Sequence, residues 1–287
     1  MDKQFQTVVS AKHKLFDLHL RETFHYRDLI MLFVKRDFTA LYKQTVLGPL
    51  WAVIQPLLTT VAFTVIFGNL AKLPVTDSVA GGRIPSFLFY LAGTVVWSYF
   101  SNVLTNTSNT FRNNRHTMGK VYYPRLASPV ASSISGLISF GIQLALLVAI
   151  WGYYLIRGGW DLAVTPRLFL LPLVILQMMM LSVGCGIILS SLTTKYRDLA
   201  MLIAFGLQLW QYASPVAYGL TMIPETYRTV YLLNPTASLL LTFRYALFGV
   251  GYFDFGFYLI SWAVTIGVFF VGLMLFSRIE RTFMDTS

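Results

Sequence analysis

The sequence predicts an all-α integral membrane protein with six transmembrane helices, an N-terminal amphipathic interface helix and a re-entrant outer helix pair before the last span. Two observations lead to this fold class. Of the 287 residues, 56% are hydrophobic and 12% are charged, whereas about 25% are charged in a typical soluble domain. The charged residues also cluster in short segments, which leaves long stretches of the chain without any.

Six uncharged stretches are long enough to be membrane spans. About 20 mainly apolar residues in a helix cover the hydrocarbon core of a bilayer, and a helix satisfies its own backbone polar groups there. The stretch that begins at Leu199 runs into an irregular apolar segment, so we expect a span followed by a different structure. The six stretches are 44–71, 84–111, 126–156, 168–194, 199–224 and 255–277.

The basic residues predict the orientation of these spans. When the segments between the stretches are assigned alternately to the two sides, sixteen of the 22 Lys and Arg residues fall on one side and six on the other. The richer side is expected to be cytoplasmic, so both termini are predicted there. The net charge of +10 is thereby explained by topology, and we do not expect binding to nucleic acid.

The N-terminal residues 1–43 form a predicted cytoplasmic segment. Charges occur throughout the first 24 residues, so no secretory signal peptide is expected. Residues 26–42 carry apolar side chains at a spacing of three and four, which predicts an amphipathic helix along the membrane face. This helix is either an anchor or a docking surface. Gly48 and Pro49 follow, and they turn the chain into the first span.

The remaining cytoplasmic segments are short. The transmembrane domain is predicted to extend over 44–277, followed by a cytoplasmic tail at 278–287. It contains a cytoplasmic loop at 112–125 and a shorter one at 191–200. Each loop is either a simple connection or a helical turn that transmits movement to two spans.

The segment 214–254, called the gate segment below, carries three prolines and two short apolar stretches. Each stretch is too short to cross the membrane, which predicts a pair of re-entrant helices. Irregular backbone in the membrane persists only where protein or water satisfies it, so this segment is expected to cover a pathway. Arg244 within it is a candidate for binding an anionic substrate group, or its side chain extends to water at the membrane surface.

Polar side chains indicate which spans face that pathway. Residues 101–110 of the second span are rich in Ser, Thr and Asn, which is a heavy hydrogen-bonding load for a lipid-facing helix. The fifth span contains Gln208 and Gln211 beside Trp210, so we expect the second and fifth spans to line the pathway. The single cysteine, Cys185, lies between two glycines and is expected to be a packing residue.

The string LYKQTVLGPLWAVIQPLL at 41–58 resembles the entry to the first span in permease subunits of polysaccharide-exporting ABC transporters. That family, of the ABC type-two export class, includes the O-antigen, capsule and teichoic-acid exporters. Tyr122, Tyr123 and Pro124 in the first cytoplasmic loop and Asn234 with Pro235 in the gate segment support the resemblance. It implies a homodimer in the bacterial inner membrane that pairs with a separate cytoplasmic ABC ATPase subunit. ATP and Mg are then bound by that partner, and this chain holds no cofactor.

The resemblance also implies roles for individual residues. The loop at 112–125 becomes the main coupling helix in the ATPase cleft, the loop near 195–198 a lesser contact, and the amphipathic helix packs beside the ATPase. The implied coupling residues are Arg112, Arg115, His116, Lys120, Tyr122, Tyr123, Pro124, Lys195, Tyr196 and Arg197. The candidate gate residues are Pro215, Tyr218, Asn234, Pro235 and Arg244.

The implied substrate is an undecaprenyl-linked polysaccharide such as O-antigen. Aromatic rings suit a sliding polymer because the C–H faces of sugars stack on them, although aromatic residues also collect at both membrane interfaces. The candidate pathway residues are Trp51, Phe63, Trp97, Tyr99, Phe100, Asn102, Asn106, Asn109, Gln208, Trp210 and Gln211.

Two other classes of function are open to this sequence. An ABC exporter of capsule, teichoic acid or a small hydrophobic drug would share these features. No phosphate-cradling loop is expected, because Gly119-Lys120 is followed by Val121 rather than Ser or Thr. A membrane-embedded glycosyl- or acyltransferase needs acids or histidines gathered near one membrane face, and the external carboxylates here lie singly on separate loops. We therefore expect a transport subunit with no catalytic residue, ATPase motif or metal site.

Overall fold

The computed structural model describes residues 25–43, 45–73, 75, 77, 84–114, 123–195 and 198–285. Within them all regular structure is helical, which confirms the predicted fold class. The helices are α1 (Arg27–Tyr42), α2 (Trp51–Phe63), α3 (Ser86–Ser108), α4 (Thr110–Asn113), α5 (Ala127–Arg157), α6 (Leu171–Lys195), α7 (Leu199–Tyr212), α8 (Glu225–Leu232), α9 (Pro235–Phe248) and α10 (Phe255–Asp285).

Five helical segments are long and apolar enough to cross a membrane, and they coincide with five of the six uncharged stretches. A 3-10 turn precedes α2 and a π-helical segment extends it, while a 3-10 turn at Pro166–Leu170 precedes α6. The five segments are Gly48–Leu70, Ser86–Ser108, Ala127–Arg157, Pro166–Thr193 and Phe255–Phe276.

The sixth stretch forms a shorter helix. α7 contains 14 residues and is about 21 Å long at the usual helical rise, whereas the hydrocarbon core is ~30 Å thick. The helix ends at Tyr212, and Pro215 beyond it lacks the N–H that another turn requires. The expected span at 199–224 is therefore a short apolar helix followed by a folded segment.

Helix α3 occupies the centre of the bundle. It packs against α2, α5, α6, α7 and α9, and a run of its side chains from Leu88 to Ala92 is fully buried. Small residues allow the close approach of α6: a Cβ built on Gly186 would lie 2.6 Å from the Cβ of Thr107. Gly184 of α6 similarly faces Gly272 of α10. Cys185 lies between these two contacts, in agreement with its expected packing role.

Helix α1 lies against the first turns of α5. Its Ile30, Phe33 and Val34 are buried together with Tyr123 and Ala127, and the rings of Phe33 and Tyr123 meet edge to face at 5.4 Å. We call the end of the bundle that carries α1 and α4 the basic face, because these two helices contain Arg27, Lys35, Arg36 and Arg112. The other end is called the opposite face.

The gate segment contributes the two predicted short helices before the last span. α8 is largely exposed, whereas nearly all of α9 is buried against α10, α6 and α3. α9 ends at Gly249, whose φ of 74° is the left-handed conformation common at helix ends. A Cβ on Gly249 would lie 2.9 Å from the carbonyl oxygen of Ala163, so glycine is required there by both backbone conformation and space.

Candidate functional site

A polar groove runs between α3 and α5, with α2 beside it. Its middle part is a cleft of about 330 Å³, and a second cleft of about 490 Å³ extends it to the basic face. Asn106 and Ser135 line both clefts, so the two form one continuous groove. Its principal polar lining residues are Gln55, Ser98, Asn102, Asn106, Asn113, Ser128, Ser132, Ser135, Ser139 and Gln143.

The groove follows from the spacing of polar residues along two helices. On α3, Ser98, Asn102 and Asn106 are four residues apart, which places them on one face. On α5, polar residues recur every three or four positions from 128 to 143, which again describes one face. Gly136 holds these faces close together, because a Cβ built there would lie 2.6 Å from a methyl group of Val103.

Two buried polar atoms in the groove lack a partner among the described residues. They are the side-chain oxygen Oε1 of Gln143 and the hydroxyl Oγ of Ser128. Gln143 is 6% exposed and Ser128 is 3% exposed, and each lines one of the two clefts. Buried polar atoms are normally hydrogen-bonded, so the wall of the groove contains an unsatisfied polar atom at two levels.

Among the described lining residues, charged side chains occur only at the end of the groove at the basic face. There Arg36 forms an ion pair with Asp37 at 2.8 Å and donates a hydrogen bond to Oδ1 of Asn114 at 3.2 Å. The described lining of the middle cleft contains amides, hydroxyls and aromatic rings but no charged side chain. The guanidinium of Arg36 also lies 4.7 Å from the ring centroid of Phe33, which couples α1 to the groove mouth.

Arg244 is enclosed at the opposite end of the bundle. Its Nη1 lies 3.3 Å from Oδ2 of Asp77, and both side chains are fully buried. Nη2 donates to the carbonyl oxygen of Val216 at 3.1 Å, and the guanidinium lies over the ring of Phe89 at 3.6 Å. The sequence suggested that Arg244 meets an anionic substrate group or extends to water. In this structure its side chain is instead enclosed by protein.

Asp77 fixes the backbone of the gate segment as well as the guanidinium. Its Oδ1 accepts a hydrogen bond from the backbone N–H of Leu220 at 3.1 Å. Burial raises the pKa of Asp77, and the charge of Arg244 and the Leu220 hydrogen bond oppose that rise. The carboxylate therefore joins a loop that follows α2 to two positions of the gate segment.

A second polar cluster joins α7 to the start of α9. Asn234 caps α9 by accepting from the backbone N–H of Thr236 at 3.2 Å, and Pro235 occupies the first helical position, which suits proline. Trp210 donates from Nε1 to Oδ1 of Asn234 at 3.2 Å and to the hydroxyl of Thr236 at 3.1 Å. The Nδ2 group of Asn234 returns a bond to the carbonyl oxygen of Ala213 at 3.1 Å. The candidate gate residue Asn234 thus holds the end of α7 against α9.

Comparison with known proteins places the chain in a family. The model of the ABC-2 type transporter family matches residues 28–248, which is most of the chain. The chain belongs to the ABC-2 type transporter family. The matched region extends from α1 to the end of α9, so the polar groove and the Arg244 site both lie within the ABC-2 transporter domain.

Several relatives of this ABC-2 transporter are named as permeases. An O-antigen export system permease protein RfbA of Klebsiella pneumoniae is 26% identical over 90% of this chain and 94% of its own length. The protein of the same name from Myxococcus xanthus is 28% identical over 78% of this chain and 82% of its own. The inner membrane transport permease YadH of Escherichia coli K12 is 22% identical over 74% of this chain and 86% of its own.

The structure of the permease brings together only part of the predicted pathway set. Trp51, Asn102 and Asn106 line the groove, and Tyr99 forms part of its wall. Asn109 is half-buried and donates to the carbonyl oxygen of Thr105. The remaining predicted pathway residues do not line either cleft of the groove: Phe63, Trp97, Phe100, Gln208, Trp210 and Gln211.

The physical reason is the way α7 packs. Trp210 of the permease inserts between Asn234 and Phe100, and the ring centroids of Trp210 and Phe100 are 5.1 Å apart. Trp97 and Phe100 are buried in the core, and Gln208 is exposed on the outside of α7. The second and third spans therefore form this groove, and the expectation that the second and fifth spans line the substrate pathway stays a prediction.

The predicted coupling residues lie largely outside the described part of the permease. Tyr123 and Pro124 are described and buried, and Tyr123 joins the predicted coupling loop to α1 through Phe33. Arg112 falls in α4 and Lys195 is the last residue of α6. The residues outside the described ranges are Arg115, His116, Lys120, Tyr122, Tyr196 and Arg197.

Two features of the candidate site were missed at the level of sequence. The polar face of α5, from Ser128 to Gln143, was recognisable from its spacing of three and four. Asp77 carried no local signal, because its partner Arg244 lies 167 residues further along the chain.

Proposed function

We propose that this chain is the membrane permease subunit of an ABC exporter that moves lipid-linked polysaccharide, such as O-antigen, across the bacterial inner membrane. The substrate is carried on an undecaprenyl-type lipid, and a separate ATPase subunit drives its movement. The observation that carries the proposal is the similarity to O-antigen export permeases over 90% of this chain and 94% of theirs. Similarity over nearly the whole length of both chains favours the same type of subunit.

The polar groove supports the proposal because it offers hydroxyl and amide groups inside an otherwise apolar bundle. A polymer of sugars requires such groups along its route, whereas a small hydrophobic compound does not. The groove opens at the basic face, which is cytoplasmic in the proposed topology, and both termini lie on that side. The gate segment then covers the outer end of the pathway.

The proposed assembly is a homodimer of this chain with two ATPase subunits. α7 supports an intermolecular contact, because Met201 is 82% exposed and Phe205 is 59% exposed. Coupling runs through the loop at 112–125 and, to a smaller extent, through 195–198. ATP and Mg are bound by the ATPase partner, and this chain acts as a transport subunit without catalytic residues of its own.

The proposal is tested with the purified permease–ATPase complex in lipid nanodiscs. We expect undecaprenyl diphosphate-linked O-antigen to stimulate ATP hydrolysis more strongly than small hydrophobic compounds at equal occupancy. Stimulation by lipid-linked capsule or teichoic acid instead would change the polymer and retain the mechanism. Stimulation by small hydrophobic compounds alone would identify a drug exporter and contradict the proposal.

A further inference from the structure

We propose that the middle part of the groove is a binding subsite for an uncharged sugar residue of the lipid-linked substrate. This inference rests on the proposed function and assigns a new role to the polar face of α5, principally Ser135, Ser139 and Gln143. The opposing wall is formed by Asn102 and Asn106 of α3. The subsite therefore lies within one protomer, between its second and third spans.

The chemistry of the lining favours a neutral sugar. Sugar hydroxyls both donate and accept hydrogen bonds, and Asn, Gln and Ser side chains do the same. A diphosphate group requires cationic partners, and the described lining of the middle cleft contains none. Trp51, which is 47% exposed, presents an aromatic surface beside the amides, and sugar C–H groups pack against such a surface.

The unpartnered oxygen of Gln143 points to a ligand in this cleft. Gln143 is 6% exposed, and its Oε1 has no hydrogen-bond partner among the described residues. Rotation of the Gln143 amide would bring this oxygen to the cleft, where a donor such as a sugar hydroxyl would complete its hydrogen bonding, whereas an acyl chain would leave it unsatisfied. The hydroxyl of Ser128 is likewise buried without a partner near the basic face. It lies about 22 Å from Gln143 along α5 at the usual helical rise.

The size and continuity of the groove agree with this assignment. The two clefts of about 330 Å³ and 490 Å³ lie within the range of roughly 300–1,000 Å³ that is usual for small-molecule sites. Because they share Asn106 and Ser135, a sugar can reach the middle cleft from the basic face without crossing an apolar barrier. The unpartnered atoms at both levels then provide successive hydrogen-bonding positions.

The first test replaces Gln143 by Leu in the purified permease–ATPase complex in nanodiscs. Leu has a similar volume but offers no hydrogen bond, so we expect the half-saturating concentration of undecaprenyl diphosphate-linked polysaccharide in the ATPase assay to rise about tenfold. The matched control is Asn69→Leu, which removes an exposed amide at the outer end of the α2 span. We expect this control to leave the half-saturating concentration unchanged.

The second test measures protection of an introduced thiol. Ser139→Cys in a Cys185→Ala background places one cysteine in the groove, and Val148→Cys places one on an exposed part of the same helix. We expect lipid-linked polysaccharide to slow maleimide labelling at position 139 but not at 148. Undecaprenyl phosphate without sugar is expected to protect neither position.

The outcomes separate the subsite from the proposed function. If lipid-linked polysaccharide fails to stimulate the wild-type complex, the proposed function is contradicted. If it stimulates the wild type and acts equally on Gln143→Leu, and the thiol at position 139 is labelled at an unchanged rate, only the sugar subsite is overturned. Equal protection of that thiol by the sugar-free lipid phosphate would assign the groove to a lipid headgroup and overturn the subsite as well.

Discussion

Arg244 and Asp77 form an ion pair at 3.3 Å in which both side chains are fully buried. The pair joins the loop after α2 to helix α9, and Asp77 and Arg244 also bind the backbone at Leu220 and Val216. The gate segment is therefore fastened to the rest of the permease at an enclosed site. Displacement of the gate segment from the bundle would break this site or move it as a unit.

We predict that single replacements at this pair are more harmful than the double replacement. Removing one partner of a buried ion pair leaves an uncompensated charge and typically costs about 3–5 kcal/mol, whereas replacing both by apolar residues is often close to neutral. The melting temperature of the purified permease should therefore fall further in Arg244→Met and in Asp77→Leu than in the variant that combines both replacements.

The control for these three variants is Arg228→Met. Arg228 pairs with Glu225 at 3.5 Å, and the Glu225 side chain is 88% exposed, so this pair is expected to contribute less than ~1 kcal/mol. If the double variant loses as much stability as the sum of the losses in Arg244→Met and Asp77→Leu, the two residues act independently and the prediction is contradicted.

We predict that Gly93→Ala disrupts the packing of the gate segment against α3. A Cβ at Gly93 would lie 2.6 Å from Nη2 of Arg244 and 2.7 Å from the carbonyl oxygen of Val216. Because backbone atoms cannot move aside easily, we expect the free energy of unfolding to fall by roughly 1–3 kcal/mol. Gly152→Ala in α5 is the matched control, since no atom lies within 4 Å of its added Cβ. Equal melting temperatures for the two variants would refute the close packing at Gly93.

We predict that Phe33→Ala releases α1 from α5. Phe33 is 4% exposed and packs on Tyr123, so its truncation removes a large buried contact between this helix and α5. Limited proteolysis should cleave within α1 faster in the variant than in the wild type. Leu32→Ala, at a position that is 61% exposed, should be cleaved at the wild-type rate, and comparable acceleration in both variants would argue against a specific contact.

We predict that charge reversal at Arg115 and Lys120 uncouples the permease from its ATPase. If the loop at 112–125 sits in the ATPase cleft, two Glu residues there should repel the partner and abolish polysaccharide-stimulated hydrolysis. The measurement is co-purification of the two subunits together with ATPase activity. Arg157→Glu, at an exposed position on the opposite face, serves as the control. Unchanged co-purification and stimulation in the double variant would remove this loop from the coupling path.

The spans were predictable from sequence because hydropathy is a local property, and five of the six uncharged stretches became long helices. The many polar side chains of the second span also indicated that this helix does not face lipid, and Asn102 and Asn106 line the groove. The contacts of α7 were not predictable, because the direction of Gln208 depends on how Trp210 bonds to Asn234 and Thr236. The pairing of Asp77 with Arg244 likewise arises only from tertiary packing between distant segments.

The measurement that tests the central claim most directly is the location of polysaccharide after deletion of this gene in its bacterium. If the chain exports lipid-linked polysaccharide, polymer should accumulate on its lipid carrier in the cytoplasm and disappear from the cell surface, and expression of the gene from a plasmid should restore it. A clean deletion strain with normal surface polysaccharide and no cytoplasmic accumulation would contradict the account.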